Sequence, residues 1–178
     1  YIMIVLVLFL GGYTLAAHRM EAVRAEGKTV LLALAPVDPR APLMGDYMAL
    51  RYVVNNDIRK ALHAKRNTQE NAGNGKVDAS REQKNNAEGF AVLRITNDPV
   101  PQAATFVRLH DGSPLQADEF LLAYRLRGYE VTSAAPAFYF QEGTARQYAG
   151  AKFGVFKLAA DGKTLLVGLC DEGGRVLE

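Results

Sequence analysis

The stretch Gly45-Asp46-Tyr47-Met48-Ala49-Leu50-Arg51-Tyr52 decides how the chain folds. It follows the proline-rich turn Asp38–Pro42, whose two prolines enforce turn or extended geometry, so it predicts the start of a β-strand. Because side chains alternate along a strand, Leu50 and Tyr52 are expected on one face and Tyr47 on the other. The stretch therefore predicts one packing face and one face that meets solvent, a partner or further core.

The segment that begins the chain, Tyr1–Ala17, contains no charged residue and consists mostly of large apolar residues. Its length matches the short end of a membrane span. Good helix formers continue over His18–Glu26, and Gly27 is a typical helix end. The chain begins with Tyr instead of Met, so we expect further residues upstream. The pattern predicts one transmembrane anchor helix over residues 1–26.

Two other interpretations of this segment stay open from the residues alone. A cleaved signal peptide needs small residues before its cleavage site, and Thr14 with Ala16 offers a partial version. A buried core helix of a soluble protein is the other interpretation. The pair Gly11-Gly12 favours a membrane helix, because glycine is tolerated where membrane helices pack closely. We therefore expect Gly11 and Gly12 to contact neighbouring helices, with membrane lipid around the segment.

The remainder, residues 27–178, predicts a mainly β domain. Short strands recur every 10 to 15 residues, which is typical of an antiparallel β-barrel or a sandwich-like domain with a minor helix. A helix is predicted over Asp57–Arg66, and a short helix or turn near Ala145–Tyr148. The predicted strands are Lys28–Val37, the strand beginning at Gly45, Gly89–Thr96, Ala104–Leu109, Glu119–Leu126, Ala137–Phe140, and the hairpin of Lys152–Leu158 with Thr164–Leu169.

A polar insertion is predicted at Asn67–Glu88, which contains one Val and no aromatic residue. Such a segment cannot bury enough apolar surface to fix its own conformation. We therefore expect residues 67–88 to form a mobile loop or an exposed helical extension.

Composition excludes several classes of function. The 178 residues carry a net charge of +2, without the dense basic patch that nucleic-acid binding requires. Cys170 is the only cysteine, which excludes an intrachain disulfide and a cysteine-based metal site. The histidines lack metal-ligand spacing, and the turn His110–Ser113 does not hold its Ser, His and Asp as a catalytic triad requires. We expect no metal, no cofactor and no nucleic-acid partner.

Two acidic residues have both a functional and a structural interpretation. Asp46 opens the strand, where its carboxylate either faces a ligand or Arg40, or accepts hydrogen bonds within the turn. Glu142 follows the aromatic strand and is expected to hold Arg146 or Arg125. The structural interpretation is favoured for both, so no catalytic residue is predicted.

Motifs along most of the chain converge on one family. They are Pro36–Arg40, Pro42–Met44, Gly45–Tyr47 with Leu50 and Tyr52, Phe140–Gly143, Tyr148-Ala149, Phe153–Phe156, Gly162 and Leu165–Leu169. With these motifs the chain resembles the membrane-anchored bacterial proteins called GDYXXLXY proteins. The resemblance implies a one-pass protein found alongside polytopic membrane proteins, and hence a membrane partner. It carries over no activity.

The chain is also similar, more distantly, to signal-peptidase-type serine proteases, which join a membrane helix to a β domain. Their nucleophile lies in a segment that corresponds to Val37–Asp46. Here no Ser, Cys or Thr occurs between Thr29 and Thr68. A Ser–Lys mechanism needs a hydroxyl beside a desolvated lysine, so this resemblance implies at most a related fold.

Two functions follow as hypotheses. The first is a non-catalytic accessory or assembly subunit, single-pass in the inner membrane, with an extracytoplasmic β domain docked on polytopic integral membrane proteins. The second is a membrane-tethered hydrolase in which Asp46, Glu142 and Lys152 converge in a pocket. The first is favoured, because no nucleophile–base pair stands out. The residues expected to bind a partner or ligand are Asp38, Arg40, Gly45, Asp46, Tyr47, Leu50, Tyr52 and Glu142.

Overall fold

The computed structural model describes residues 2–35, 47–72, 86–159 and 161–177. These residues form a mainly β structure, as predicted. The helices are α1 (Ile2–Glu26) and α2 (Val53–Ala72), with a 3-10 helix at Ala145–Tyr148. The strands are β1 (Lys28–Ala33), β2 (Tyr47–Ala49), β3 (Asn86–Thr96), β4 (Ala103–Leu109), β5 (Glu119–Arg127), β6 (Glu130–Thr132), β7 (Ala137–Tyr139), β8 (Phe153–Leu158), β9 (Thr164–Cys170) and β10 (Val176–Leu177).

Eight of these strands form one open, mixed sheet in the order β10-β9-β8-β1-β4-β3-β5-β6, and β2 pairs separately with β7. The neighbours in the large sheet pair antiparallel except β1 and β4, which are parallel. Of the predicted antiparallel barrel or sandwich-like domain, the mainly β character is confirmed and the barrel is wrong, since the described strands form an open sheet with one parallel pair and close no barrel. Side-chain alternation reports which face of a strand is buried, and it does not report the neighbouring strand or its direction.

The open sheet curls far enough for its β8–β9 turn to touch β5. Ala123 N in β5 donates a hydrogen bond to Gly162 O in that turn, at 2.9 Å. Gly162 has a φ of +80°, and a Cβ there would lie 3.2 Å from both Leu121 O and the ring of Phe90. Glycine is favoured at this position, because other residues rarely adopt positive φ and a Cβ would make tight contacts with both neighbours.

The main core lies between α2 and the face of the sheet that it covers. Val54, Ile58 and Leu62 recur at helical spacing along α2 and pack into this core. The helix rests on β1, β4 and β6. Burying a side chain such as Ile58 contributes about 1.5–3 kcal/mol relative to leaving it exposed. The predicted helix over Asp57–Arg66 is therefore confirmed, within a longer element.

Both ends of the predicted polar insertion belong to regular elements. Helix α2 continues through Ala72, and β3 begins at Asn86. Residues 73–85, the middle of the prediction, lie outside the described residues. The helix extends beyond its apolar face because propagation adds one hydrogen bond per residue once the buried part has formed.

Helix α1 leads into the centre of the sheet with a single residue between. Gly27 N donates to Val23 O at 2.9 Å and ends the helix, and β1 begins at the next residue. The helix and its glycine end are as predicted, and so is the two-sided burial of β1 at Val30–Leu32. Of the predicted transmembrane anchor over 1–26, the helix itself is present. No helix among the described residues combines the length and the apolar character needed to cross a membrane.

Candidate functional site

The decisive stretch forms a short strand that joins two distant parts of the chain. Strand β2 pairs antiparallel with β7, so that Tyr47 lies opposite Tyr139. Leu50 N continues this ladder by donating to Pro136 O at 2.8 Å. Beyond it, Tyr52 forms an isolated bridge with Leu34, just past the end of β1. The stretch therefore ties β7 to the central strand of the large sheet.

The inward face of this stretch belongs to the core. Tyr52 is 2% exposed, its hydroxyl donates to Ala135 O at 2.7 Å, and its ring meets Phe156 edge-on at 5.6 Å between centroids. Burial raises the pKa of Tyr52 well above its ordinary value. Leu50 is buried in the same cluster. The predicted packing face is confirmed, and the same burial keeps the side chains of Leu50 and Tyr52 away from any partner.

The outward face carries two exposed tyrosines. Tyr47 is 41% exposed and Tyr139 is 76% exposed, with their ring centroids 5.7 Å apart. We call these two residues the tyrosine pair. Arg51 is exposed on the same side of the stretch by strand alternation. Sequence reasoning found Tyr47 but missed Tyr139, whose partner is set by a strand pairing across about ninety residues of sequence.

An aromatic cluster supports β7 from the other side. Phe138 meets Tyr148 edge-on at 5.1 Å, and Phe140 stacks on Tyr148 at 5.3 Å between ring centroids. Tyr148 comes from the 3-10 helix, which confirms the helix or turn predicted there. Aromatic contacts of this kind contribute about 0.5–1.5 kcal/mol beyond their area burial. The cluster therefore fixes the strand that presents Tyr139.

Of the other candidate partner-binding or pocket residues, only Glu142 and Lys152 lie in the described part of the chain. Asp38, Arg40, Gly45 and Asp46 lie outside the described residues. The exposed side chains of Glu142 and Lys152 form no hydrogen bond or ion pair with each other or with any other described residue.

The predicted pairing of Glu142 with Arg146 or Arg125 is wrong, since the described residues show neither contact. Arg125 Nε lies 2.6 Å from Glu88 Oε1, because the two residues stand opposite each other in the β3–β5 register. For the predicted helix-packing glycines, a Cβ on Gly11 or Gly12 would meet no described atom within 4 Å. Neither glycine thus packs closely against a described element.

A buried carboxylate was missed by the sequence analysis. The side chain of Glu119 is 3% exposed and lies between Arg94 Nη2 at 3.3 Å and Arg108 Nη2 at 3.4 Å. Gln116 N also donates to Glu119 Oε2 at 3.1 Å. Both carboxylate oxygens are thus partnered within β3, β4 and β5 and the turn before β5. The carboxylate of Glu119 therefore links three strands. Arg94 and Glu119 meet because the β3–β5 register places them opposite each other, and this register is the feature from which the contact follows.

Metal binding finds no support in the described geometry. Within residues 2–35, 47–72, 86–159 and 161–177, no group of three or more His, Cys, Asp or Glu side chains is arranged to hold a metal ion.

These features define a class of protein in which an apolar helix runs directly into a curled, open β-sheet, and a separate two-stranded sheet displays a tyrosine pair. The chain belongs to the GDYXXLXY family, whose family model, described as GDYXXLXY protein, matches residues 9–169. The letters of that name are the stretch at Gly45–Tyr52. No curated protein and no solved structure matches the chain.

Proposed function

We propose that this protein is a non-catalytic accessory or assembly subunit that α1 anchors in the bacterial inner membrane and that docks on integral membrane proteins. Its β domain lies on the extracytoplasmic side. The observation that carries the proposal is the exposure of α1. Eight consecutive large apolar residues, Met3–Leu10, are each 53–73% exposed.

The exposed residues of α1 cover all sides of the helix. Consecutive residues point around the whole circumference, so Met3–Leu10 does not form the single stripe of a surface helix. Leaving one such side chain in water instead of burying it costs about 1.5–3 kcal/mol. Eight of them amount to roughly 12–24 kcal/mol, which is as large as the stability of a whole domain. Lipid and partner helices together supply an apolar environment on every side.

The tyrosine pair supports a docking role for the β domain. Tyrosine is enriched at the energetic centres of protein interfaces, because it buries a large ring and keeps a polar tip. Tyr47 and Tyr139 sit on a strand pair that Phe138 and Tyr148 hold in place from behind. The surface is therefore rigid before a partner binds, which reduces the entropy lost on docking.

The test separates the membrane anchor from the docking surface. The full chain is expressed in its native bacterium, extracted in mild detergent and purified, and the proteins that come with it are identified. We expect integral membrane proteins with the wild-type chain. The double variant Tyr47→Ala/Tyr139→Ala should stay in the membrane fraction and lose them.

Tyr129→Ala is the matched control. Tyr129 is 71% exposed but lies in the β5–β6 turn, outside the β2–β7 strand pair, so its variant should keep every companion. Purification of the wild-type chain alone, with no integral membrane companion, would refute the proposal. Recovery of the wild-type chain outside the membrane fraction would refute the proposed membrane anchor.

A further inference from the structure

A cleft of about 990 Å³ opens between α1 and the curled sheet. Gly12 and Val23 line it from the helix, and Phe90, Ala123 and Leu165 line it from β3, β5 and β9. The volume lies at the upper end of the range for small-molecule sites, which is roughly 300–1,000 Å³. The contact of the β8–β9 turn with β5 forms one wall, so the curl of the sheet creates the cleft.

The charges that line the cleft favour an anion. Five charged side chains line it, of which three are cationic and two anionic. Arg125 is neutralised by Glu88 at 2.6 Å, and Lys163 by Asp161 at 3.0 Å. No described residue forms an ion pair with Arg127, the fifth charge. The hydroxyl groups of two threonines in the lining, at positions 132 and 164, add hydrogen-bond donors.

The apolar part of the cleft continues onto the anchor. Gly12 and Val23 stand about 16 Å apart along the helix, at 1.5 Å per residue. The exposed apolar residues Met3–Leu10 begin two residues beyond Gly12. A ligand with a charged head at Arg127 and a flexible apolar chain can therefore pass from the cleft onto α1 without exposing that chain to water.

We propose that the cleft binds an anionic phospholipid, with the phosphate at Arg127 and an acyl chain along α1. The proposal rests on the membrane anchor proposed above, because the acyl chain leaves the cleft beside Met3–Leu10. A free inorganic anion would use only the polar groups around Arg127 and would leave the apolar wall of Phe90 and Leu165 uncovered. The amphipathic lining therefore selects a lipid over a soluble phosphate.

The experiment uses the full chain in detergent micelles, titrated with fluorescent phosphatidylglycerol and, separately, with fluorescent phosphatidylcholine. We expect phosphatidylglycerol to bind at least tenfold more tightly than phosphatidylcholine. Arg127→Gln should weaken phosphatidylglycerol about tenfold, because it removes a charge-assisted hydrogen bond. Thr132→Trp, on the exposed edge strand β6, should abolish binding of both lipids by filling the cleft.

Arg146→Gln is the control for charge. Arg146 is an exposed arginine of the 3-10 helix that does not line the cleft, so its variant should bind as the wild type does. Equal affinity for the two lipids, or wild-type affinity in both Arg127→Gln and Thr132→Trp, overturns the lipid site. Competition by inorganic phosphate as effective as that by phosphatidylglycerol also overturns it.

Flotation with neutral phosphatidylcholine vesicles distinguishes the two proposals. If the chain floats with these vesicles but shows no preference for phosphatidylglycerol, the anchor proposal stands and the lipid-site proposal is refuted. A chain that fails to float refutes the anchor itself. Far-UV circular dichroism of each variant, compared with the wild type, ensures that a loss of binding is not a loss of fold.

Discussion

Replacing Tyr52 tests whether the family stretch is a core element. Tyr52→Phe removes the 2.7 Å hydrogen bond to Ala135 O and leaves the ring in place, which should lower the free energy of unfolding by about 1–2 kcal/mol. Tyr52→Ala also empties the space beside Phe156 and should cost roughly 3–5 kcal/mol. The assay is urea unfolding of the full chain in micelles, followed by far-UV circular dichroism.

The matched controls are the same changes at Tyr139. That residue is 76% exposed and its hydroxyl has no hydrogen-bond partner among the described residues. Tyr139→Phe and Tyr139→Ala should each change the free energy of unfolding by less than about 0.5–1 kcal/mol. If Tyr52→Ala proves no more destabilising than Tyr139→Ala, the assignment of Tyr52 to the core is refuted.

The same hydroxyl gives an expected pH dependence. Burial raises the pKa of Tyr52 above its ordinary 10.0, so between the two values the folded chain holds a proton that the unfolded chain has lost. The contribution is fully present below about pH 10 and falls as the pH rises beyond it. Unfolding midpoints measured across this range should drop more steeply in the wild type than in Tyr52→Phe. Parallel pH profiles would contradict this explanation.

Three further changes test the fold elsewhere, each by the same unfolding assay unless another is named. Glu119→Gln should cost about 1–2 kcal/mol, since Arg94 and Arg108 each lose one of two carboxylate partners, whereas Glu88→Gln in an exposed pair should cost under about 1 kcal/mol; equal losses would oppose this. Cys170 is fully buried, and burial raises the pKa of its thiol, so a disulfide reagent should modify it only in denaturant; rapid native modification would contradict its placement. Gly154→Ala would put a Cβ 2.7 Å from Phe156 Cε2 and should cost about 1–3 kcal/mol, and an unchanged midpoint would argue against that packing.

Local pattern predicted the elements of this fold better than their arrangement. The hairpin of β8 and β9 was predictable because two apolar runs flank a short polar turn, and each feature lies within about twenty residues of sequence. The parallel pairing of β1 with β4 joins Leu31 to Ala103, and nothing near either residue encodes the other. The same reasoning explains why the sequence predicts a barrel or sandwich-like domain where the structure has an open sheet.

In the candidate site, too, features set by local side-chain alternation were predictable and features set by strand pairing were not. Alternation along the stretch predicted that Tyr47 and Tyr52 lie on opposite sides, and the structure places one at the surface and the other in the core. The exposed partner Tyr139 and the pair Glu88–Arg125 depend on strand register, which the sequence does not state locally. The register of distant strands therefore determines that Tyr47 contacts Tyr139 and that Arg125 pairs with Glu88.

The single residue between α1 and β1 has a mechanical consequence. A pull on α1 passes through Gly27 directly into β1, which is flanked by β8 over six residue pairs and by β4 on its other edge. Hydrogen bonds of an antiparallel pair run perpendicular to the strands, so a pull along β1 strains the whole ladder in shear and does not unzip it one bond at a time. Tension between α1 and the β domain is thus carried by the strongest direction of the sheet.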